Sequence, residues 1–297
     1  MSKPSPDAGG PTQSSPPTSR NCLFPPGHFY SPVPDVVALA NDEERIFAPV
    51  TRGLPGIDLN AETQLATVAR FRAYYPDIPW QDERAEGLRY FFRNPAYSYT
   101  DAIFLYSMIR DARPRKVIEI GSGFSSCVIL DTNERFFSNT IECRFVEPFP
   151  QLLRSLLKAG DVGRITVDPC RVQDLAPEVF SSLDAGDLLI IDSTHVSKTG
   201  SDVNFIFFEV LPYLRPGVRV HFHDIFYPFE YPKKWVMQGR AWNESYLLRA
   251  FLHGNSGYSI ELFASYLARF HRAALNRALP RCAENYGGNI WLRRTDA

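Results

Sequence analysis

The chain has 297 residues, of which 44% are hydrophobic and 22% charged, and its formal net charge is −1. This composition is typical of a globular protein, and the near-neutral charge argues against classes that bind nucleic acid or an acidic membrane surface. The five cysteines are scattered without a CxxC pair, and the sequence shows neither an apolar run long enough to span a membrane nor a secretory signal. We therefore expect a cytoplasmic protein with reduced thiols.

Three regions follow one another along the chain. Residues 1–21 are rich in Pro and Ser, which predicts a disordered tail. Residues 22–96 combine aromatic and proline clusters with one helical pattern at 62–75, and we interpret them as an N-terminal cap that serves as a substrate lid. From residue 97 to residue 297, strand and helix patterns alternate, which predicts a cofactor-binding domain.

The alternating region opens with a predicted helix at 100–112, for which Thr100 is the expected N-cap. Seven strands are predicted in chain order at 116–120, 143–147, 164–167, 187–192, 217–222, 258–266 and 287–294. Helices are predicted between them at 124–137, 150–160, 202–214, 240–253 and 265–280. This alternation predicts an α/β fold, a Rossmann-like, doubly wound and mostly parallel seven-stranded sheet. The C-terminal strand of this sheet is expected to be antiparallel. A small N-terminal helical cap is expected to precede the sheet.

A glycine-rich loop follows the first predicted strand. Gly121 and Gly123 let the backbone turn tightly and approach a ligand where the next helix begins. Glu147 ends the second strand, and its distance along the chain from Gly123 is close to the roughly 20-residue spacing at which an acid holds ribose hydroxyls. These features fit either a dinucleotide or S-adenosylmethionine. Ser126 replaces the third glycine of the dinucleotide motif, and Glu119 could meet a positive charge, so S-adenosylmethionine is favoured.

The stretch VIEIGSG, the acid in FVEP and the ending GGNIWLRR resemble the class I S-adenosylmethionine-dependent methyltransferase superfamily over roughly residues 97–294. The resemblance implies that the loop cradles the methionine part and that the acid after the second strand binds ribose. It also implies a polar residue near the adenine, here Asp174, and support for the methionine end from Asp101. For Asp101, an acid favoured by the helix dipole is the alternative. The candidate cofactor-binding residues are Asp101, Glu119, Gly121, Ser122, Gly123, Ser126, Glu147 and Asp174.

Two carboxylates, Asp192 and Asp224, follow the fourth and fifth predicted strands. If these strands are neighbours, their ends lie roughly 5 Å apart, and the carboxylates repel unless a cation or a proton lies between them. A divalent metal is the simplest solution. Oxygen ligands alone would suit Mg²⁺, whereas a histidine ligand would favour Mn²⁺, Fe²⁺ or Zn²⁺. His221 and His223 share one strand face; we interpret His221 as a core residue and His223 as a ligand.

The same pattern resembles the metal-dependent O-methyltransferase branch of the superfamily and its hydroxylase-like relatives. In that branch an Asp after the fourth strand and an acidic pair after the fifth hold Mg²⁺. Asp192 and Asp224 match, whereas His223 stands where related members carry Glu. A catalytic base is implied three residues after the first Asp. His195 occupies that position and is a suitable base at neutral pH, and Lys198 is the second candidate.

The sequence thus predicts an S-adenosylmethionine-dependent methyltransferase acting on a hydroxyl of a small molecule, assisted by a divalent metal (Mg²⁺, Mn²⁺ or Fe²⁺). A metal-dependent oxygenase or hydroxylase on the same fold, and a non-catalytic cofactor-binding protein, remain open as alternatives. The aromatic stretch at 225–236 suits either a flat or apolar substrate or ordinary packing between regions. The expected partner is a small-molecule acceptor, not nucleic acid or a membrane, and a homo-oligomer stays open.

Overall fold

The computed structural model describes residues 22–296, so the predicted tail at 1–21 lies outside the described part. Seven strands form one sheet. They are β1 (Lys116–Ile120), β2 (Glu142–Val146), β3 (Thr166–Asp168), β4 (Leu188–Ile191), β5 (Arg219–His223), β6 (Tyr258–Phe263) and β7 (Asn289–Arg294). Their order is β3-β2-β1-β4-β5-β7-β6. The first five strands pair in parallel, and β7 is antiparallel to both β5 and β6, which confirms the predicted fold.

The described helices lie before, between and after these strands. They are α1 (Val36–Asn41), α2 (Glu43–Ile46), α3 (Ala61–Phe71), α4 (Tyr99–Ala112), α5 (Phe124–Phe137), α6 (Gln151–Leu156), α7 (Glu178–Ser181), α8 (Asp202–Phe205), α9 (Lys233–Met237), α10 (Glu244–Leu252), α11 (Ala264–Phe270) and α12 (Arg272–Ala278). Helix α8 continues as a π-helical segment, Ile206–Val210, and a 3-10 turn, Leu211–Tyr213. Other 3-10 turns are Tyr75–Asp77, Ala159–Asp161, Val172–Asp174 and Pro280–Ala283. Among the described residues, no helix has the length and apolar character that crossing a membrane requires.

Several element bounds differ from the sequence prediction: the helix predicted at 150–160 ends at Leu156, and the stretch predicted as one helix at 265–280 contains α11 and α12. Two further differences have a visible cause. Helix α4 begins at Tyr99, so Thr100 is not its N-cap; the Thr100 hydroxyl instead donates to the carbonyl of Asn285 at 2.7 Å. The strand predicted at 258–266 ends at Phe263, because Ala264 begins α11. The apolar pattern continues through both elements, so it does not show where the strand ends and the helix begins.

Strand β4 shows how the sheet builds its core. All four of its side chains are buried. Leu188 and Ile190 pack with helices α3, α4 and α5 on one face, whereas Leu189 and Ile191 pack with α8 and α10 on the other. Successive side chains of a strand point to opposite faces, so a continuous apolar run is what a doubly covered strand requires. The two apolar layers leave the carboxyl ends of the strands to polar residues.

Candidate active site

The carboxyl ends of β1, β2, β4 and β5 meet at one edge of the sheet. Strand β1 lies between β2 and β4, so the strand order changes direction there, and ligands of open α/β sheets bind at such switch points. Two cavities open at this edge. One of about 450 Å³, the loop cavity, is lined by Gly121 and Glu147; one of about 580 Å³, the histidine cavity, is lined by His195 and His223. Both are also lined by residues 192–194, where they meet.

The glycine loop after β1 is shaped by close backbone packing. Gly121 has a φ of 79°, and a Cβ placed on it would lie 1.8 Å from the carbonyl oxygen of Asp192. A side chain at this position would therefore require the end of β4 to move. The Gly121 amide also donates to the carbonyl of Val146 at 2.9 Å, which ties the loop to the end of β2. Glycine is thus required where the loop lines the cavity.

Glu119 and Ser126 lie behind this loop and not on the cavity wall. Ser126 donates a hydrogen bond to Glu119 and accepts one from the amide of Gly123 at 3.0 Å. The other carboxylate oxygen of Glu119 and the hydroxyl of Ser122 are buried without a hydrogen-bond partner among the described residues. Burial raises the pKa of Glu119 to about 8. A buried carboxylate without a countercharge is a group that a cationic ligand nearby would stabilise.

Glu147 and Asp174, both predicted to bind the cofactor, have different surroundings. Glu147 lines the loop cavity and accepts from the amides of Ser122 at 3.2 Å and Phe149 at 2.8 Å, which fixes its carboxylate. Asp174 is exposed and pairs with Arg171 at 2.6 Å, and it does not line the cavity. This placement corrects the prediction for Asp174, because an arginine three residues earlier holds its carboxylate at the surface.

Five titratable side chains converge in the histidine cavity, and we call them the His–Asp cluster: Asp101, Asp192, His195, His223 and Asp224. Asp192 Oδ1 lies 3.2 Å from His223 Nδ1 and 3.5 Å from His195 Nε2. Asp224 lies 3.7 Å from His195 and 3.8 Å from His223, and Asp101 lies 3.8 Å from His223 Nε2. The predicted convergence of the β4 and β5 carboxylates is thus present. His195 and Asp224 both have positive φ angles, of 60° and 56°, in a region that costs energy for such residues.

Charge pairing within the cluster sets its protonation. Burial opposes a charge on each histidine, yet hydrogen bonds to Asp192 and Glu244 raise the pKa of His195 to about 10, and Asp192 with Asp224 raises the pKa of His223 well above its ordinary value. Burial likewise opposes a charge on Asp192, but the two histidines hold its pKa well below the usual range. Burial raises the pKa of Asp224. The neighbouring carboxylates therefore favour the protonated form of both histidines.

Sequence reasoning did not identify Glu244, which lies in the first turn of α10. Its fully buried carboxylate contacts His195 Nδ1 at 2.8 Å, so His195 presents Nε2 to the cavity. The amides of Asn243 and Glu244 donate to the carbonyl of His195, at 3.0 and 3.1 Å, and hold the two segments together. The only signal in the sequence is an acid at the start of a predicted helix, which ordinarily indicates no more than a favourable helix dipole.

The other predicted residues have distinct placements. Lys198, the second candidate base, is exposed and lines the loop cavity. It does not line the histidine cavity, where His195 and the aspartates lie. Asp101 lines the histidine cavity, where Gly288 and Asn289 donate to its Oδ1 at 3.1 and 2.6 Å. His221 is a core residue whose ring packs at a tilt against Trp291, and burial lowers its pKa to about 3.

The metal site predicted from Asp192, His223 and Asp224 is not supported by the donor arrangement. Within residues 22–296, no group of three or more His, Cys, Asp or Glu side chains is placed to hold a metal ion. His223 faces both predicted carboxylate ligands, with its Nδ1 at 3.2 Å from Asp192 and 3.8 Å from Asp224. The countercharge that the two carboxylates need is supplied by histidine.

Comparison with known proteins identifies the cofactor-binding part of the chain. A family profile described as a methyltransferase domain matches residues 118–225, which run from β1 through the end of β5 and include the loop, Glu147 and the β4 and β5 ends. An uncharacterized protein of Archaeoglobus fulgidus is 37% identical over 170 residues, which cover 54% of this chain and 74% of that protein.

Solved structures of methyltransferases are also similar to the chain. The O-methyltransferase TomG of Streptomyces achromogenes, solved with S-adenosylmethionine, is 15% identical, with coverage of 86% of this chain and 96% of TomG and a TM-score of 0.43. The Podospora anserina methyltransferase PaMTH1, solved with S-adenosylhomocysteine, is 15% identical, with coverage of 89% and 98% and a TM-score of 0.42. The methyltransferase-domain match spans the glycine loop and the strand ends of a β3-β2-β1-β4-β5-β7-β6 sheet, so residues 118–225 of the chain belong to a methyltransferase domain.

Proposed function

We propose that the protein transfers a methyl group from S-adenosylmethionine to a hydroxyl oxygen of a small molecule bound in the histidine cavity. The observation that carries this proposal is the junction of the two cavities at Asp192, Ser193 and Thr194. A cofactor in the loop cavity and an acceptor in the histidine cavity would meet at this junction. Methyl transfer depends above all on holding the two reacting atoms close and in line.

The residues around the loop cavity fit S-adenosylmethionine. Glu147 presents a fixed carboxylate that suits ribose hydroxyls, and the close packing at Gly121 leaves the loop free of a side chain. Glu119 does not line the cavity, but its buried carboxyl group lies behind the loop, and a cationic ammonium group bound in front of the loop would stabilise its ionised form. S-adenosylmethionine, when bound, supplies an electrophilic methyl group. The protein holds that methyl group in position and excludes water from it.

The His–Asp cluster supplies the chemistry for the acceptor. We propose that Asp224 receives the hydroxyl proton on a carboxylate oxygen, because burial makes it a stronger base than a surface carboxylate. Protonated His195 and His223 stabilise the negative charge that develops on the acceptor oxygen. His195 then acts as a charge donor and not as the base expected from the sequence, since its pKa of about 10 leaves it protonated at neutral pH.

This role for the histidines makes the reaction independent of a metal ion. In the metal-dependent branch that the sequence resembles, a cation would lower the pKa of the acceptor hydroxyl. Here two imidazolium groups occupy that electrostatic role, held within 3.2–3.8 Å of the carboxylates. No step of the proposed reaction requires a further ligand.

We further propose that residues 22–96 form a lid over the acceptor. The end of this region, residues 94–96, lines the histidine cavity directly. Phe226, Trp235 and Trp242 line the same cavity from the C-terminal half. Aromatic walls around a few charged groups are typical of sites for small organic ligands.

The proposal is tested with deuterium-labelled S-adenosylmethionine and a panel of hydroxylated metabolites, using mass spectrometry to detect labelled methyl ethers. We expect at least one labelled product, and we expect Asp224→Asn to slow its formation by about 100-fold or more. The same variant should bind S-adenosylhomocysteine as the unaltered protein does, because Asp224 does not line the loop cavity. Asp184, a half-buried residue outside both cavities that is paired with Arg115 and Arg215, provides the matched control Asp184→Asn. Full activity of Asp224→Asn would reject the proposed proton acceptor.

A further inference from the structure

An apolar cavity of about 320 Å³ adjoins the histidine cavity. It lies between the N-terminal cap, which contributes Leu39 of α1 and Ile46 of α2, and the segment around α9. Trp235, Arg240 and Trp242 line both cavities and form the wall between them. We call this third space the aromatic cavity. From the loop cavity through the histidine cavity to the aromatic cavity, each space thus shares wall residues with the next.

The chemistry of the lining changes along this path. The histidine cavity presents the charged groups of the His–Asp cluster, whereas the aromatic cavity is lined mainly by apolar and aromatic side chains. Its one carboxylate, Glu230, accepts on a single oxygen, Oε1, from the Tyr246 hydroxyl at 2.6 Å and the Tyr231 amide at 2.8 Å. A ligand entering the aromatic cavity therefore meets mainly apolar and aromatic surface.

Trp242 connects the two chemistries. Its ring lies 4.5 Å from the ring of His195 and 5.5 Å from the ring of Trp235. The Arg240 guanidinium stacks on Trp235 at 4.1 Å and on Trp242 at 4.9 Å, which holds both indoles in place. A molecule whose hydroxyl reached His195 would place the groups beyond that hydroxyl against the indole of Trp242.

We propose that the acceptor is an amphipathic hydroxyl compound whose apolar part occupies the aromatic cavity. This inference rests on the proposed function, and it adds the class of substrate. The volume is sufficient, because an apolar cavity of about 150 Å³ already accommodates benzene. The apolar part supplies binding free energy through burial, while the His–Asp cluster acts on the hydroxyl end.

The test uses phenol and para-hexylphenol as probes, titrated by calorimetry into protein saturated with S-adenosylhomocysteine. We expect para-hexylphenol to bind at least about tenfold more tightly than phenol. Leu39→Trp, which fills the aromatic cavity from α1, should remove most of that advantage. Val37→Trp is the matched control, because Val37 lies on the same helix, is 67% exposed and does not line the cavity.

A second filling variant, Val236→Phe, covers the case in which Leu39→Trp does not fold. The proposal is overturned if para-hexylphenol binds no more tightly than phenol, including the case in which neither binds, or if the filling variants keep the full advantage. Failure of the proposed function is distinguishable, because it would show first as the absence of S-adenosylhomocysteine binding in the same calorimeter.

Discussion

Two buried clusters of charged residues in this protein differ in how completely their members are paired. Arg89 contacts Asp131 and Glu134 at 2.7 Å each and also pairs with Asp161, and Trp80 donates to Asp131 at 2.9 Å. The His–Asp cluster has most of its contacts at 3.2–3.8 Å, includes two residues with positive φ, and opens onto a cavity.

The difference separates a structural role from a chemical one. The Arg89 cluster fastens the end of the N-terminal cap to α5 and to the segment before β3, and its groups have no capacity left for a ligand. In the His–Asp cluster two histidines face three aspartates at longer distances beside a cavity, so an acceptor oxygen can enter among them. Strained backbone and perturbed pKa values at one place are features that functional sites share.

The largest expected effect tests the structural role of the Arg89 cluster. We expect Arg89→Met to lower the free energy of unfolding by about 3–5 kcal/mol, because it leaves Asp131 and Asp161 buried without their partner. Urea unfolding monitored by circular dichroism measures this change. S-adenosylhomocysteine affinity of the folded variant should stay unchanged. A loss below about 1 kcal/mol would mean that the cluster is not the fastening we describe.

Glu119 differs from the acids of both clusters, because it is a buried acid without a basic partner. The pKa of Glu119 is about 8 in the folded protein, above its ordinary value of 4.5. Between pH 4.5 and pH 8 the folded state therefore binds more protons than the unfolded state. Its contribution therefore lowers stability as pH rises through that window. We expect Glu119→Gln to remove this fall, and the two proteins to differ by on the order of 5 kcal/mol at the alkaline end. Urea unfolding at several pH values measures the effect, and parallel pH profiles would contradict it.

Glu244 tests whether positioning matters in the open cluster. We expect Glu244→Gln to lower kcat by about 10-fold to 100-fold while KM for S-adenosylmethionine stays unchanged, because the carboxylate holds and charges His195. The pH profile of kcat should also shift to lower pH, since His195 would lose its proton more readily. Glu244→Asp should recover part of the rate. An unchanged pH profile would indicate a purely structural role.

The smallest expected effect separates two acids that the sequence treated alike. Glu147→Gln should weaken S-adenosylhomocysteine binding by about tenfold, because its carboxylate lines the loop cavity. Asp174→Asn should leave binding unchanged, because Asp174 is paired at the surface. Calorimetry on both variants decides this, and equal losses would place Asp174 in the cofactor site after all.

The sequence predicts the sheet better than it predicts the site. Strand β1 and helix α5 have the predicted bounds, because glycine and apolar periodicity mark their ends. The convergence of Asp192 and Asp224 is also predictable, since parallel neighbouring strands end at the same edge. The contact of Glu244 with His195 depends on how α10 packs back over β4, and no local pattern encodes that. Asp174 shows the opposite limit, in which a nearby arginine removes a plausible residue from the cavity.

The proposed mechanism requires that imidazolium groups, and not a metal ion, stabilise the acceptor oxygen. The most direct test measures methyl transfer to the identified acceptor after exhaustive chelation and in metal-free buffer. We expect a rate equal to that of the untreated enzyme, and no stimulation by added Mg²⁺, Mn²⁺ or Fe²⁺. Loss of activity on chelation, restored by one of these ions, would contradict it.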